Sequence, residues 1–152
     1  MYYYAFALAM GLAIALQAPI NAALARSLGG LTVMSAFLSF LIGTVCLTVL
    51  AYFSGVLHFD TLKALPQQAW WKFLGGILGA FFVFGTILLA PKIGLINMFL
   101  TVLIGQLITS MILDSVGAFG LSVKPISWQK IVGLFIMFAG LLLFFSKELK
   151  ST

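Results

Sequence analysis

The chain has 152 residues, of which 63% are hydrophobic and only 7% are charged. A soluble domain carries about a quarter of its residues as Asp, Glu, Lys or Arg, so this composition excludes a water-soluble globule and indicates a surface that mostly faces lipid. The net charge of +5 comes from basic residues dispersed at the edges of apolar runs, which is typical of membrane flanks and argues against a nucleic-acid-binding face.

Five apolar segments are long enough to cross a bilayer, which requires about 20 helical residues. A tight turn at Gly29-Gly30 separates the first segment from the second. The pattern predicts an all-α integral membrane protein, with one five-helix domain over residues 1–152 and spans at about residues 3–24, 32–54, 70–90, 93–113 and 128–146.

Several residues predict where individual helices begin and end. Pro91, Lys92 and Gly94 are together expected to end the third helix after Ala90, because proline cannot donate a backbone hydrogen bond and glycine often follows the end of a helix. Ser127 is expected to cap the fifth helix, which Lys147 and Lys150 would close. In the connection before the third span, Asp60 is expected to cap a short interfacial helix.

The distribution of basic residues leaves the orientation in the membrane open. Cytoplasmic connections normally carry an excess of Lys and Arg, but here each side carries four. One side holds Lys63, Lys72, Lys124 and Lys130, and the other holds Arg26, Lys92, Lys147 and Lys150. The equal count is compatible with an inverted dimer. It is equally compatible with a single orientation, set by a partner protein or by lysines that differ in their influence on topology.

The first helix carries a polar cluster around a proline. Gln17 and Asn21 lie four residues apart on one face, and Pro19 removes a backbone donor between them. Polar groups in hydrocarbon cost free energy unless they are paired or hydrated. The cluster therefore indicates either a solute-binding cavity at a kinked helix or amides that bond to neighbouring helices.

The fourth helix carries a second polar face, formed by Gln106, Ser110 and Asp114 at intervals of four residues. Gln106 falls near mid-membrane, and we interpret it and Ser110 as candidates for a solute cavity. Asp114 is a candidate coupling residue, although a solvated carboxylate at the end of the span is the simpler interpretation. No Asp, Glu or His lies deep within a predicted span, which argues against a proton relay.

Small residues at four-residue intervals predict close helix packing. Ser35, Ser39 and Gly43 form such a stripe on the second helix, and Gly75 and Gly79 form another on the third. Stripes of this kind allow helix backbones to approach closely, so we interpret them as packing faces.

No catalytic motif is present in the sequence, and we expect no enzymatic activity, no cofactor and no metal site. Cys46 is the single cysteine and lies in an apolar run. One enzymatic alternative is a membrane enzyme acting on lipids, for which Asp114 and His58 would be the candidate reactive groups.

Several segments resemble the YdcZ-type family of the drug/metabolite transporter superfamily. The most specific is Leu16-Gln17-Ala18-Pro19-Ile20-Asn21-Ala22. The resemblance extends over nearly the whole chain, through Leu28-Gly29, Ser39 to Thr44, Trp70-Trp71 ahead of Gly75-Gly76 and Gly79-Ala80, Leu88 to Gly94, and Gly105-Gln106 followed by Asp114.

This resemblance implies a five-helix half-unit that exports a solute across a bacterial inner membrane. Ten-helix members of the superfamily bind substrate between two related halves, so a homodimer or a heterodimer with a paralogue is implied, with alternating access between the halves. The small multidrug members use an essential glutamate in their first helix. Gln17 and Asn21 occupy the corresponding region here, so their proton-antiport mechanism does not transfer directly.

Two function hypotheses follow. The first is a secondary transporter whose dimeric cavity is lined by Gln17, Pro19, Asn21, Gln106 and Ser110 and which exports a small solute through the lipid bilayer. The second is a non-transporting accessory or scaffold subunit, in which the polar residues only bond helices together.

Overall fold

Helices make up most of residues 2–146, the part of the chain that the computed structural model describes. Five of them are long and apolar enough to cross a membrane, as predicted. The helices are α1 (Tyr2–Ser27), α2 (Thr32–Phe53), the short α3 (Phe59–Ala64), α4 (Leu74–Ile93), α5 (Leu95–Val116) and α6 (Trp128–Phe145). Lys147 and Lys150, which were expected to close the fifth span, lie outside the described residues.

The third span does not end at Pro91. Helix α4 continues through this proline to Ile93, so the predicted end at Ala90 is wrong. Proline lacks only its own N–H, and later residues can still donate to the preceding turn. The backbone N–H of Gly94 does so, with a bond of 3.1 Å to the carbonyl oxygen of Ala90.

The connection between α2 and α4 contains the expected short helix, but its predicted cap is wrong. Helix α3 begins at Phe59 with His58 in the N-cap position, and no side chain caps it. Asp60 lies inside the first turn, where a carboxylate still interacts favourably with the helix dipole. Two 3₁₀ turns, Leu65–Gln67 and Trp70–Phe73, then lead into α4.

The N-terminus of α6 is at the predicted residue but is bonded differently. Ser127 occupies the N-cap position, and its side chain makes no capping hydrogen bond. Its backbone carbonyl oxygen accepts from the N–H groups of Lys130 and Ile131 instead.

The turn after α1 brings the start of α2 back beside the end of α1. The N–H of Gly30 donates to the carbonyl oxygen of Ala25 at 2.9 Å, and that of Gly29 donates to Arg26 at 3.1 Å. This is the Schellman pattern, which requires a left-handed residue. Gly29 has a φ of +70°, so the glycine is needed at this point, and the chain can enter α2 at Thr32.

The described residues fall into two compact units, one ending at Leu95 and the other beginning at Ile96. In the first unit, helices α1, α2 and α4 contact one another. Its buried residues are mostly small, which lets the helices approach closely. They are Ala18, Asn21, Ala22 and Ala25 on α1, Ser35 and Ala36 on α2, and Val83, Thr86, Ile87 and Ala90 on α4.

The second unit contains α5, a 3₁₀ turn at Ala118–Gly120, and α6. A backbone hydrogen bond of 2.9 Å, from the N–H of Lys124 to the carbonyl oxygen of Asp114, ties the connection to the end of α5. Met98 is the one residue of α5 that is buried, and no residue of α6 is. Most of both helix surfaces is therefore available to lipid or to another chain.

Candidate functional site

Asn21 lies at the contact between α1 and α2. Its side chain is 6% exposed, and its amide Nδ2 donates to the hydroxyl of Ser39 at 3.2 Å. Its backbone carbonyl oxygen accepts from the hydroxyl of Ser35 at 2.7 Å. These bonds match the packing alternative for Asn21, in which the amide bonds to a neighbouring helix.

Gln17 lies one helical turn earlier in a different environment. Its side chain is exposed, and it forms no hydrogen bond with any residue in the described range. On α2, Gly43 lies one turn beyond Ser39, and no neighbouring described atom comes within 4 Å of the position that its Cβ would take. This part of the α2 surface is therefore uncovered. The two amides, four residues apart, therefore differ: Asn21 is bonded within the unit, and Gln17 is uncovered.

Pro19 is enclosed within α1, which runs without interruption from Tyr2 to Ser27. The proline side chain is partly buried. Because Pro19 has no N–H, it cannot donate to the carbonyl of Ala15, one turn earlier. That carbonyl oxygen is thereby a second polar group on the same stretch of α1 as Gln17.

A cavity of about 430 Å³ lies within the second unit, between α5 and α6. Its lining is mostly apolar, with polar groups supplied by Ser110 and Asp114 from α5 and by Lys130 from α6. Ser110 is exposed and Asp114 is partly buried. Mostly apolar walls with few polar groups are typical of cavities that bind small molecules.

Gln106 lies one turn before Ser110 on α5 and is exposed. It is not among the residues that line the cavity, and it makes no hydrogen bond within residues 2–146. Like Gln17, it is an uncovered amide inside a membrane span.

The predicted packing stripes make contact at some of their positions. Ser35 is fully buried and Ser39 bonds to Asn21. A Cβ on Gly79 would lie 3.5 Å from the ring of Phe40, so α4 packs against this α2 side chain at Gly79. Gly43 and Gly75 have open space beside them among the described residues.

Sequence reasoning missed two features of these units. Ala18, Ala22 and Ala25 form the buried stripe of α1, and the Ala-x-x-x-Ala spacing of the first two was a usable signal for it. Lys130 was counted only as a flanking charge, yet it lines the same cavity as Asp114. The local sequence around Lys130 and Asp114 could not predict that they share a cavity, because the two residues lie on different helices.

The candidates for the lipid-enzyme alternative lie in different units. His58 is exposed at the start of α3, and Asp114 is near the end of α5. Among residues 2–146, no three His, Cys, Asp or Glu side chains are grouped so that they could hold a metal ion.

Five apolar helices, with polar side chains inside the spans, define the class as a multi-pass integral membrane protein. The family model described as "Putative inner membrane exporter, YdcZ" matches residues 2–143. The chain belongs to this family, which confirms the resemblance found in the sequence, and it is a protein of the inner membrane. Neither the curated proteins nor the solved structures contain a match to it.

Proposed function

We propose that this transporter works as a dimer, exporting a small polar solute by alternating access, and that the amides of Gln17 and Gln106 and the hydroxyl of Ser110 bind the solute. Pro19 assists by leaving the Ala15 carbonyl without its usual donor. Asn21 orients α1 through its bonds to α2.

The observation that carries this proposal is the presence of two uncovered amides at mid-span. Gln17 is ten residues from the end of α1, and Gln106 is ten residues from the end of α5. At about 1.5 Å per residue, each lies about 15 Å along its helix from the nearer end. An amide at that depth is costly in hydrocarbon unless it meets water, a solute or another protein group.

A dimer follows from the same requirement. Five helices are half of the number in the ten-helix members of the superfamily. The uncovered amides also need protein groups on a second side if they are to line a cavity. A second copy, or a paralogue, would supply these groups and convert an open helix face into a closed cavity. A cavity between two chains can open alternately to the two sides of the membrane when the chains rock against each other.

The accessory-subunit alternative is favoured by the bonds of Asn21. One of the two amides on α1 is buried and bonded to a neighbouring helix, and a partner protein could satisfy Gln17 and Gln106 in the same way. This alternative predicts that no solute binds and that a larger membrane protein co-purifies.

The test is a thermal-shift screen of the purified protein in detergent against metabolites, organic cations and guanidinium compounds. A ligand that binds the folded state raises its apparent melting temperature. We expect a saturable shift that Gln17→Leu and Gln106→Leu each remove. Gln67→Leu and Gln129→Leu are the matched controls, because they make the same replacement outside the middle of a span.

Two results would count against the proposal. One is a shift that survives in both Gln17→Leu and Gln106→Leu, which would place the bound solute elsewhere. The other is silence across the library together with capture of a larger partner, which would favour the accessory subunit. Circular dichroism of every variant ensures that lost binding does not reflect lost folding.

A further inference from the structure

A second cavity, of about 220 Å³, lies in the first unit where α1 and α4 end and α2 begins. Arg26 and Lys92 both line it, together with Thr32 of α2 and apolar residues of α1 and α4. Arg26 is in the last turn of α1, and Lys92 is in the last turn of α4. Both cations are therefore at the boundary of the membrane and converge on one cavity.

The first unit has no acidic residue near these two cations. Asp60 is the only acidic residue among residues 2–95. It lies in α3, beyond the far end of α2, and the 22 residues of α2 separate the two ends by about 33 Å. Neither Arg26 nor Lys92 forms an ion pair or a side-chain hydrogen bond within the described residues.

Helix dipoles offset only part of this charge. The C-termini of α1 and α4 each contribute roughly half a negative charge, and the N-terminus of α2 contributes roughly half a positive one. An excess of about one and a half positive charges remains. The guanidinium of Arg26 has a planar array of donors that matches the oxygens of a phosphate, and the ammonium of Lys92 is a compact second charge.

We propose that Arg26 and Lys92 form a binding site for a phosphate group at the membrane boundary, and the location favours the headgroup of an anionic phospholipid as its source. The apolar residues of the cavity wall, Ala22, Ile87 and Leu88, would then lie beside the first part of the acyl chains. Basic pockets between transmembrane helices bind anionic headgroups in this manner. The site is separate from the amides proposed to bind the transported solute.

The test compares lipids added to the full-length protein in detergent. Phosphatidylglycerol should raise the apparent melting temperature of the wild type, and phosphatidylcholine with the same acyl chains should raise it much less. Arg26→Gln and Lys92→Gln should each weaken the apparent affinity for phosphatidylglycerol by about tenfold, since each removes a charge-assisted hydrogen bond. The double variant should lose the selectivity between the two lipids.

The matched control is the double variant Lys63→Gln/Lys72→Gln. It changes the net charge by the same amount, but Lys63 lies over the ring of Phe59 and Lys72 bonds to Gln68, so neither belongs to this cavity. Arg26→Lys keeps the charge and removes the planar donors, and it should retain part of the selectivity. This variant keeps the test decisive if Arg26→Gln fails to fold.

Inorganic phosphate separates the two sources of the group. A phosphate-dependent shift that the Arg26→Gln/Lys92→Gln variant removes would support the site and assign it to a soluble phosphate compound. A response to phosphatidylglycerol alone would support the lipid. Two results would overturn the proposal: equal stabilisation by both lipids, or equal loss of selectivity in the two double variants. The two cations would then serve only to interact with the helix dipoles or to set the orientation in the membrane.

Discussion

The hydroxyl of Ser35, which has no exposed surface, donates a hydrogen bond of 2.7 Å to the backbone carbonyl oxygen of Asn21. This bond joins α1 to α2 one turn from the bond between the Asn21 amide and Ser39. Two interhelical hydrogen bonds thus join these helices, and the neighbouring buried residues are small. The contact between α1 and α2 is specific because polar groups on both helices must align.

Removing this hydroxyl is expected to destabilise the fold. Ser35→Ala should lower the free energy of unfolding by about 1 kcal/mol, the order found for hydrogen bonds between membrane helices. Ser27→Ala is the control, because the exposed Ser27 hydroxyl bonds only to the Ala23 carbonyl of its own helix. Thermal unfolding in detergent measures both variants. Equal stability of the two would show that the Ser35 bond contributes nothing.

The two amides of α1 are expected to respond oppositely to the same kind of substitution. Asn21→Leu should lower the apparent melting temperature, because it removes a bonded amide and places a branched side chain at the contact with α2. Gln17→Leu should leave the melting temperature unchanged or raise it, because it replaces an uncovered amide with an apolar side chain. A similar loss of stability in both variants would mean that Gln17 also has a structural partner.

Hydropathy was sufficient to predict the five spans, because partition of a segment into lipid depends on its composition over about 20 residues. It depends little on how the helices pack against one another. Helix ends were less predictable. Pro91, Lys92 and Gly94 were together expected to end α4 after Ala90, but the helix continues through Pro91 to Ile93, because a proline removes only one backbone donor. Gly94, which was also expected to end the helix, occupies the C-cap position with a φ of +80°.

The same limit explains why the candidate site was only partly predictable. Gln17 and Asn21 have the same spacing, chemistry and helix, so the sequence could not indicate which of them bonds to a neighbour. The answer depends on where Ser39 meets α1, which is a contact across 18 positions of sequence. Gly75 and Gly79 were likewise predicted together as a packing face, but only Gly79 meets an aromatic ring among the described residues.

This difference between the two glycines gives a direct test of the α2–α4 contact. Gly79→Leu should destabilise the protein by about 1–3 kcal/mol, because the added side chain must displace the ring of Phe40. Gly75→Leu makes the identical change where no neighbouring described atom is within 4 Å, and it should cost less than half as much. If both variants unfold at the same temperature, close approach at Gly79 is not a determinant of stability.

A second pair of glycines tests the connection between α5 and α6. Gly117 and Gly120 have φ values of +63° and +82°, so alanine at either position is strained. A Cβ at Gly117 would also lie 2.7 Å from Cγ2 of Val123. Gly117→Ala should therefore destabilise the protein by at least about 1 kcal/mol more than Gly120→Ala, which meets no neighbouring described atom. Thermal unfolding that ranks them in the reverse order would contradict this geometry.

The cavity between α5 and α6 should be hydrated if its Ser110 hydroxyl serves solute binding. In a Cys46→Ala background, Ser110→Cys should react with N-ethylmaleimide in membranes, because only a thiol that meets water ionises to the reactive thiolate. Ile112→Cys is the control at nearly the same depth: Ile112 is 53% exposed but does not line the cavity, so lipid should keep its thiol neutral. Gly133→Leu, which adds a side chain inside the cavity, should slow the reaction of Ser110→Cys, whereas Gly140→Leu on the same helix should not.

Two outcomes would remove Ser110 from the proposed solute site. Labelling of both cysteines at the same rate would mean that α5 is hydrated on all sides. Labelling of neither would mean that the cavity is filled by lipid.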